Sequence, residues 1–468
     1  MKSGLRGVLA VAVLVALLGV EASTASAQGR RSYTGTIDGA AYRVEVPEHW
    51  NGALVLYSHG YLPLGFNFPQ TGIALTNRPP DRSESEAWLL EHGYALAASQ
   101  FPEDGLGYQV ESALHDQMAL LDWFDTHVGR PRHTVATGQS LGAAVALPLA
   151  ERHPDRFAGV ATFCGAQDPV GTFNAELDVN FAVKTLLAAG EDIKLVRDDD
   201  PEHSRDALAA AADRALATPQ GRARLALAGA LNNIAGWYSA LQPRPTDMTE
   251  WIRQQEAWIR DAYIRGRGPV ARADIERRAG GNPFWNVGID YHRQLARSSQ
   301  RDLVERAYRE AGLSLRRDLD RLDAAPRIAP DPAAVRYMYR YGVPTGRIHA
   351  PVVTLHSVGD GGAVPDQERW YAEQVRRAGG GDRLRQLYVN RGEHCSYSAA
   401  DEIVTLRTLF ERIDRGRWPD TSPRRLNDAV SALADHYWKV FDFASFQDAP
   451  MPPAFVSFQP PRALRPAR

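Results

Sequence analysis

Cysteine is nearly missing from this 468-residue chain, which has Cys164 and Cys395 and no other. Two thiols exclude a disulfide framework as the basis of the fold, and they exclude a cysteine-only zinc site. Lysine is almost as scarce, at Lys2, Lys184, Lys194 and Lys439, so nearly all the positive charge is arginine. Those arginines are spread along the whole chain, which reads as coding bias rather than phosphate recognition. A surplus of either charge is lacking too: the formal net charge is −2. That argues against nucleic acid and anionic membrane as partners. Beyond residue 27 no apolar run is long enough to cross a bilayer. What the chain does have is 44% hydrophobic and 24% charged residues, enough apolar surface to build a large core and to exclude disorder as the main state.

The first segment reads as an address. Lys2 and Arg6 give a positive start, Val8 to Val20 is a short apolar run, and Ala25-Ser26-Ala27 is an A-x-A cleavage site. Residues 1–27 are therefore expected to be a secretory signal peptide, with the mature protein starting near Gln28. The expected location is secreted or periplasmic, where Cys164 and Cys395 are free to oxidise.

Four further segments follow. Residues 28–170 alternate strands and helices: Tyr42–Val46 alternates with period two, Gly52–Tyr57 is a continuous apolar run, and Val110–His127 is helical. Ser83 and Glu86 form an expected capping box. In residues 171–347 the strand signal disappears and Ala/Leu/Arg-rich helices take over, as in a large helical insertion. The α/β pattern returns over 348–416, beginning with the apolar run Pro351–Leu355. Residues 417–468 are a Pro- and Arg-rich tail, expected to carry one helix over Leu426–Val440 and to be loose at its end. The expected architecture is α/β, a mostly parallel sheet with helices on both faces and a helical insertion serving as a cap.

The chemistry is carried by four strand ends. Gly138-Gln139-Ser140-Leu141-Gly142 matches G-x-S-x-G between a predicted strand and a predicted helix, the setting a nucleophile elbow needs. Ser58-His59-Gly60-Tyr61 follows the first buried strand. It can turn the backbone N–H of Tyr61, together with that of Leu141, onto a substrate carbonyl oxygen. His59 itself reads as a turn histidine. Asp360 follows the returning strand and His394 the last one, which gives the order Ser…Asp…His. In this reading Ser140 attacks, His394 moves the proton and Asp360 fixes the imidazole. Asp168 is the alternative acid, with Asp366 behind it. His356 and His292 read as structural or cap residues. Asp198–His203 is either a metal site or, more simply, a solvated loop before a helix. Tyr61, Phe66, Phe68 and Trp285 are candidates for lining an acyl pocket, and packing alone would also explain each.

These motifs together resemble the α/β-hydrolase superfamily, in particular its secreted bacterial serine esterases and amidases. The resemblance covers about residues 40–170 and 346–415, and it implies that the insertion between them is the cap. His59-Gly60-Tyr61 is similar to the oxyanion strand end of esterases and cutinase-like enzymes. Gly392-Glu393-His394 departs from the simpler Gly-His pattern by one inserted glutamate. A cysteine directly after the histidine is similar to tannases and feruloyl esterases, where it bonds a cysteine beside the serine. Gln139 occupies that place here, so the resemblance offers Cys164 as the partner of Cys395 instead; two buried free thiols are the other option. The resemblance implies a carboxylic ester hydrolase working through an acyl-enzyme, with an amidase or peptidase as the alternative. An inactive binding protein of the same fold is a third possibility. The implied partner is a small or polymeric ester or amide, and neither a cofactor nor a metal is called for.

Overall fold

The computed structural model describes residues 29–64, 72–77, 83–102 and 105–467. The expected signal peptide, Phe66 and Phe68 lie outside the described residues. The first half of the chain builds strands β1 (Arg31–Ile37), β2 (Ala40–Val46), β3 (Ala53–Ser58), β4 (Ala95–Ser99), β5 (His133–Gln139) and β6 (Gly159–Phe163). Helix α1 (Glu84–Glu91) precedes β4, α2 (Val110–His127) precedes β5, and α3 (Ala143–Arg152) precedes β6. Next come α4 (Pro169–Leu187), α5 (Pro201–Ala215), α6 (Pro219–Ala230) and α7 (Met248–Trp258), which runs into a π-helical segment, Ile259–Gly266. Helices α8 (Pro269–Ala279), α9 (Tyr291–Arg297), α10 (Arg301–Glu310), α11 (Leu315–Ala324) and α12 (Pro332–Gly342) complete this inserted region. Then follow β7 (Val352–Gly359), α13 (Asp366–Arg377), β8 (Leu384–Gly392), α14 (Ala399–Arg415), α15 (Pro423–Ser431) and a hairpin of β9 (Lys439–Asp442) with β10 (Gln447–Pro450).

The main sheet has the order β1-β2-β4-β3-β5-β6-β7-β8. Strand β2 runs antiparallel to β1 and β4, and every pair from β4-β3 to β7-β8 is parallel. Strand β3 shows why the centre is doubly covered. Leu54 and Leu56 pack into one hydrophobic cluster with α2, α3 and the inserted helices, while Val55 and Tyr57 pack into the other with α1 and α14. Crossovers that bury both faces leave the carboxyl ends of β3, β5, β7 and β8 along one rim, where an open parallel sheet presents its ligand sites. Among the described residues no helix is long and apolar enough to cross a membrane.

Three expectations need correction. Ser83 does cap α1 by accepting the N–H of Glu86, but the Glu86 carboxylate turns away to Arg43 instead of closing the box. The tail helix stops at Ser431, and the chain then forms the β9-β10 hairpin, whose buried Val440 and Asp442 face the body. The end of the tail is not loose. Leu464 is buried, Arg465 forms a buried ion pair with Asp178 of α4, and the N–H of Ala467 donates to Asp168 at 2.7 Å. Tertiary pairing with the inserted helices overrides a composition that reads as unstructured.

Candidate active site

The turn after β5 is built by small residues. A Cβ on Gly138 would collide with the Gly142 carbonyl, and a Cβ on Gly142 would collide with the Ser58 carbonyl oxygen. The glycines thus let the turn close against the end of β3. Between them Ser140 is held at φ +51°, a left-handed conformation that a serine adopts only when its surroundings enforce it. This puts Oγ at the rim and starts a short 3₁₀ turn, Ser140–Gly142, that leads into α3. Leu141 is the second residue of that turn, so its N–H has no acceptor within it. Across the cleft lies His59-Gly60-Tyr61. A Cβ on Gly60 would sit 3.1 Å from Ser140 Cβ, which is how near this loop comes. His59 bonds its own loop, Nδ1 to the Gly60 carbonyl at 2.7 Å and Nε2 to the Gln100 carbonyl at 3.2 Å, as a turn histidine would.

His394 reaches the same place from the end of β8. Its Nε2 lies 2.8 Å from Ser140 Oγ and its Nδ1 lies 2.8 Å from Asp360 Oδ2. The imidazole is partly open to the cleft, at 20% side-chain exposure, whereas Asp360 is fully buried. The other oxygen of Asp360 accepts the N–H groups of Gly362 and Ala363, each at 2.8 Å. Burial opposes ionisation of Asp360, but the charges and hydrogen bonds of His394 and His356 outweigh it and bring the carboxyl down to about 2.

His356, expected as a structural or cap residue, is buried in the main body beside Asp360 and Glu368. Its Nδ1 faces Glu368 at 3.0 Å and its Nε2 faces the Ala363 carbonyl at 2.8 Å, with Asp360 Oδ2 at 3.4 Å. Both neighbours are acceptors and carboxylates stand beside both nitrogens, a setting that favours the doubly protonated ring. Burial works against the charge, and bonds to Asp360 and Glu368 carry the pKa up to about 10.

Asp168 stands elsewhere. Its Oδ1 accepts the N–H of Gly171 at 2.8 Å, capping α4, and its Oδ2 accepts the N–H of Ala467. Asp-Pro at a helix start is a capping signature, and Asp168-Pro169 carried that signal. Asp366 accepts from Asn233 at 2.6 Å inside the protein. His292 lies on the surface against Asp320. In the Asp198–His203 run, Asp200 caps α5 and Asp199 pairs with Lys194. Trp285 packs within the inserted region, where its backbone N–H donates to Asn174 Oδ1 at 2.9 Å. The Tyr61 ring packs against the main core with its hydroxyl buried and, among the described residues, without a hydrogen-bond partner.

Cys164, at the end of β6, and Cys395 are joined by a disulfide. Together with His394 they form a cluster of metal-ligand type, but the sulfurs are bonded to each other and offer no thiolates. Next to the histidine, Glu393 is buried against Asp442 of the C-terminal hairpin. Its carboxylate oxygens accept from Ser396 Oγ at 2.6 Å and from the N–H of Phe443 at 2.7 Å. Burial, reinforced by Asp442, pushes Glu393 up to about 9, so it holds a proton at neutral pH.

The strand order and the doubly covered parallel sheet define the α/β-hydrolase fold. A family model described as "Putative esterase" matches residues 78–258. An o-phthalyl amidase from Xanthobacter agilis is 29% identical over 429 residues, which is 84% of this chain and 90% of that protein. Among solved structures, an esterase from Aspergillus oryzae is 14% identical with a TM-score of 0.35, over 84% of this chain and 81% of that one. Feruloyl esterase B from Aspergillus oryzae is 12% identical with a TM-score of 0.37, over 84% and 82%. The family-model match and the amidase relative support an ester or amide hydrolase.

Proposed function

We propose that the protein is a serine hydrolase in which Ser140, His394 and Asp360 form a catalytic triad. The observation that carries this reading is the continuous chain of two 2.8 Å contacts, from Ser140 Oγ to the His394 ring and from that ring to Asp360. His394 Nε2 takes the proton of Ser140 as Oγ attacks the acyl carbon. It then returns that proton to the leaving group, and water repeats the sequence to release the acid. Asp360 holds the ring so that Nε2 is the free base, and it stabilises the imidazolium. The N–H groups of Tyr61, on the loop that approaches Ser140 at Gly60, and of Leu141 are the proposed donors to the oxyanion.

Amides and esters of aromatic acids are the proposed substrates. The o-phthalyl amidase, similar over most of the chain, favours the amide, and the esterase model match favours the ester. Export directed by residues 1–27 completes the proposal, and it suits a protein whose two cysteines are oxidised. A fluorophosphonate probe is expected to label the wild type and leave Ser140→Ala unlabelled. Purified wild type is expected to hydrolyse a phthalyl amide and its matched ester, and Ser140→Ala neither. Labelling that survives in Ser140→Ala would overturn the assignment.

A further inference from the structure

We infer that Tyr263 and Arg267, both from the helical insertion, are positioning residues for Asp360, an inference that rests on the triad reading above. Two peptide groups support the Asp360 carboxylate. One joins Gly361 to Gly362 and the other joins Gly362 to Ala363, and each directs its N–H to Oδ1 at 2.8 Å. The opposite ends of these same two peptides are held by the insertion. The Tyr263 hydroxyl donates to the Gly361 carbonyl at 2.8 Å, and Arg267 Nη2 donates to the Gly362 carbonyl at 2.6 Å. A donor on a carbonyl fixes the peptide plane and polarises its N–H, which strengthens the bond that the N–H makes in turn.

Side chains at the two glycines cannot steady the loop. A Cβ on Gly361 would strike the Trp258 ring, and one on Gly362 would come 2.8 Å from His394 Cβ and Cγ. Both positions are therefore closed to side chains, and two consecutive glycines are the most mobile backbone available. The holding groups are themselves held. Arg267 Nε donates to buried Glu176 of α4 at 2.7 Å, and the guanidinium lies over the Tyr263 ring at 5.4 Å. Tyr263 stands in the π-helical segment and its hydroxyl accepts from Asn232 at 3.1 Å. Irregular helical turns of this kind are frequent at functional sites.

The test is a double-mutant cycle on the full-length mature enzyme. Tyr263→Phe, Arg267→Gln and Arg267→Lys are each made in the wild type and in Asp360→Asn, and kcat and KM are measured on one aryl ester and its matched amide. Tyr263→Phe and Arg267→Gln are expected to lower kcat by about ten- to a hundredfold, the cost of a misplaced catalytic group. KM should stay within about twofold, because ground-state binding is untouched. Arg267→Lys should recover much of the loss, since one ammonium donor can serve one carbonyl. In Asp360→Asn the same substitutions should cost less than about twofold, because the group they position is no longer a carboxylate. Losses that multiply in full on top of Asp360→Asn, a change in KM alone, or no loss in the wild type would overturn the inference. Tyr263→Phe deletes a single oxygen, so the cycle can be read even if an arginine variant fails to fold. If Asp360→Asn is as active as the wild type, the triad reading itself fails, a result distinct from all the others.

Discussion

Two buried side chains beside the acid and the histidine hold protons that they would lose in water. Glu393 titrates at about 9 in the fold against 4.5 ordinarily, and His356 at about 10 against 6.5. In both, the folded pKa is raised, so the folded state binds more protons than the unfolded chain across the interval. The stability each contributes is complete below its ordinary pKa and lost as pH rises through the folded one. The melting temperature is therefore expected to fall steadily from about pH 6.5 to about pH 9. Glu393→Gln, which needs no proton to face Asp442, should make that fall shallower while leaving the His356 share. Identical slopes for wild type and Glu393→Gln in a pH series of thermal melts would show that Glu393 is ionised. Neither proton was legible in the sequence, because each depends on neighbours brought from distant segments. Ser140, Asp360 and His394 were legible because each follows a readable strand, and in a parallel sheet strand ends share one rim. Asp168 also follows a strand, and it misled for that reason. Position along the sheet named it, whereas Pro169 beside it announced a helix cap.

At the scale of elements, the strand-turn-helix around Ser140 reads directly from the string, because packing leaves so little freedom there. Gly138 and Gly142 are fixed by backbone contacts on both sides. The histidine loop is different. Glu393 and Cys395 both sit at positive φ, +66° and +63°, conformations that no sequence pattern predicts. Such a loop needs external support, and the disulfide to Cys164 ties it to the end of β6. Replacing both cysteines by alanine should cost about 2–5 kcal/mol of stability, since the link closes a loop of 231 residues. It should also lower kcat, because the backbone on the C-terminal side of His394 is released. Urea unfolding and steady-state kinetics on the double variant check the two effects separately. Unchanged kcat in a folded, less stable double variant would confine the cystine to stability.

At the scale of the whole molecule, the α/β order was legible because its periodicities are local. The insertion could be recognised as helical, but its docking could not, since the groups that dock it are single side chains such as Arg267 and Arg465. Arg465 shows how much one residue can carry. It is buried, pairs with Asp178 of α4, and donates to the Trp285 carbonyl at 2.7 Å. Arg465→Ala should cost about 3–5 kcal/mol by leaving the Asp178 carboxylate buried without its cation. Chemical denaturation measures this, and a loss below about 1 kcal/mol, the worth of an exposed pair, would mean that water reaches the carboxylate.

The stitching of the inserted helices to the loop after β7 bears on how such enzymes can be re-engineered. Exchanging residues 169–342 for the corresponding region of another hydrolase, in order to change which acids are accepted, would carry off the hydroxyl of Tyr263 and the guanidinium of Arg267. The graft would alter substrate choice and slow the chemistry in one cut. A chimera that keeps its turnover has to take the loop after β7 from the same enzyme as the helices, or preserve those two hydrogen-bond donors on the new scaffold.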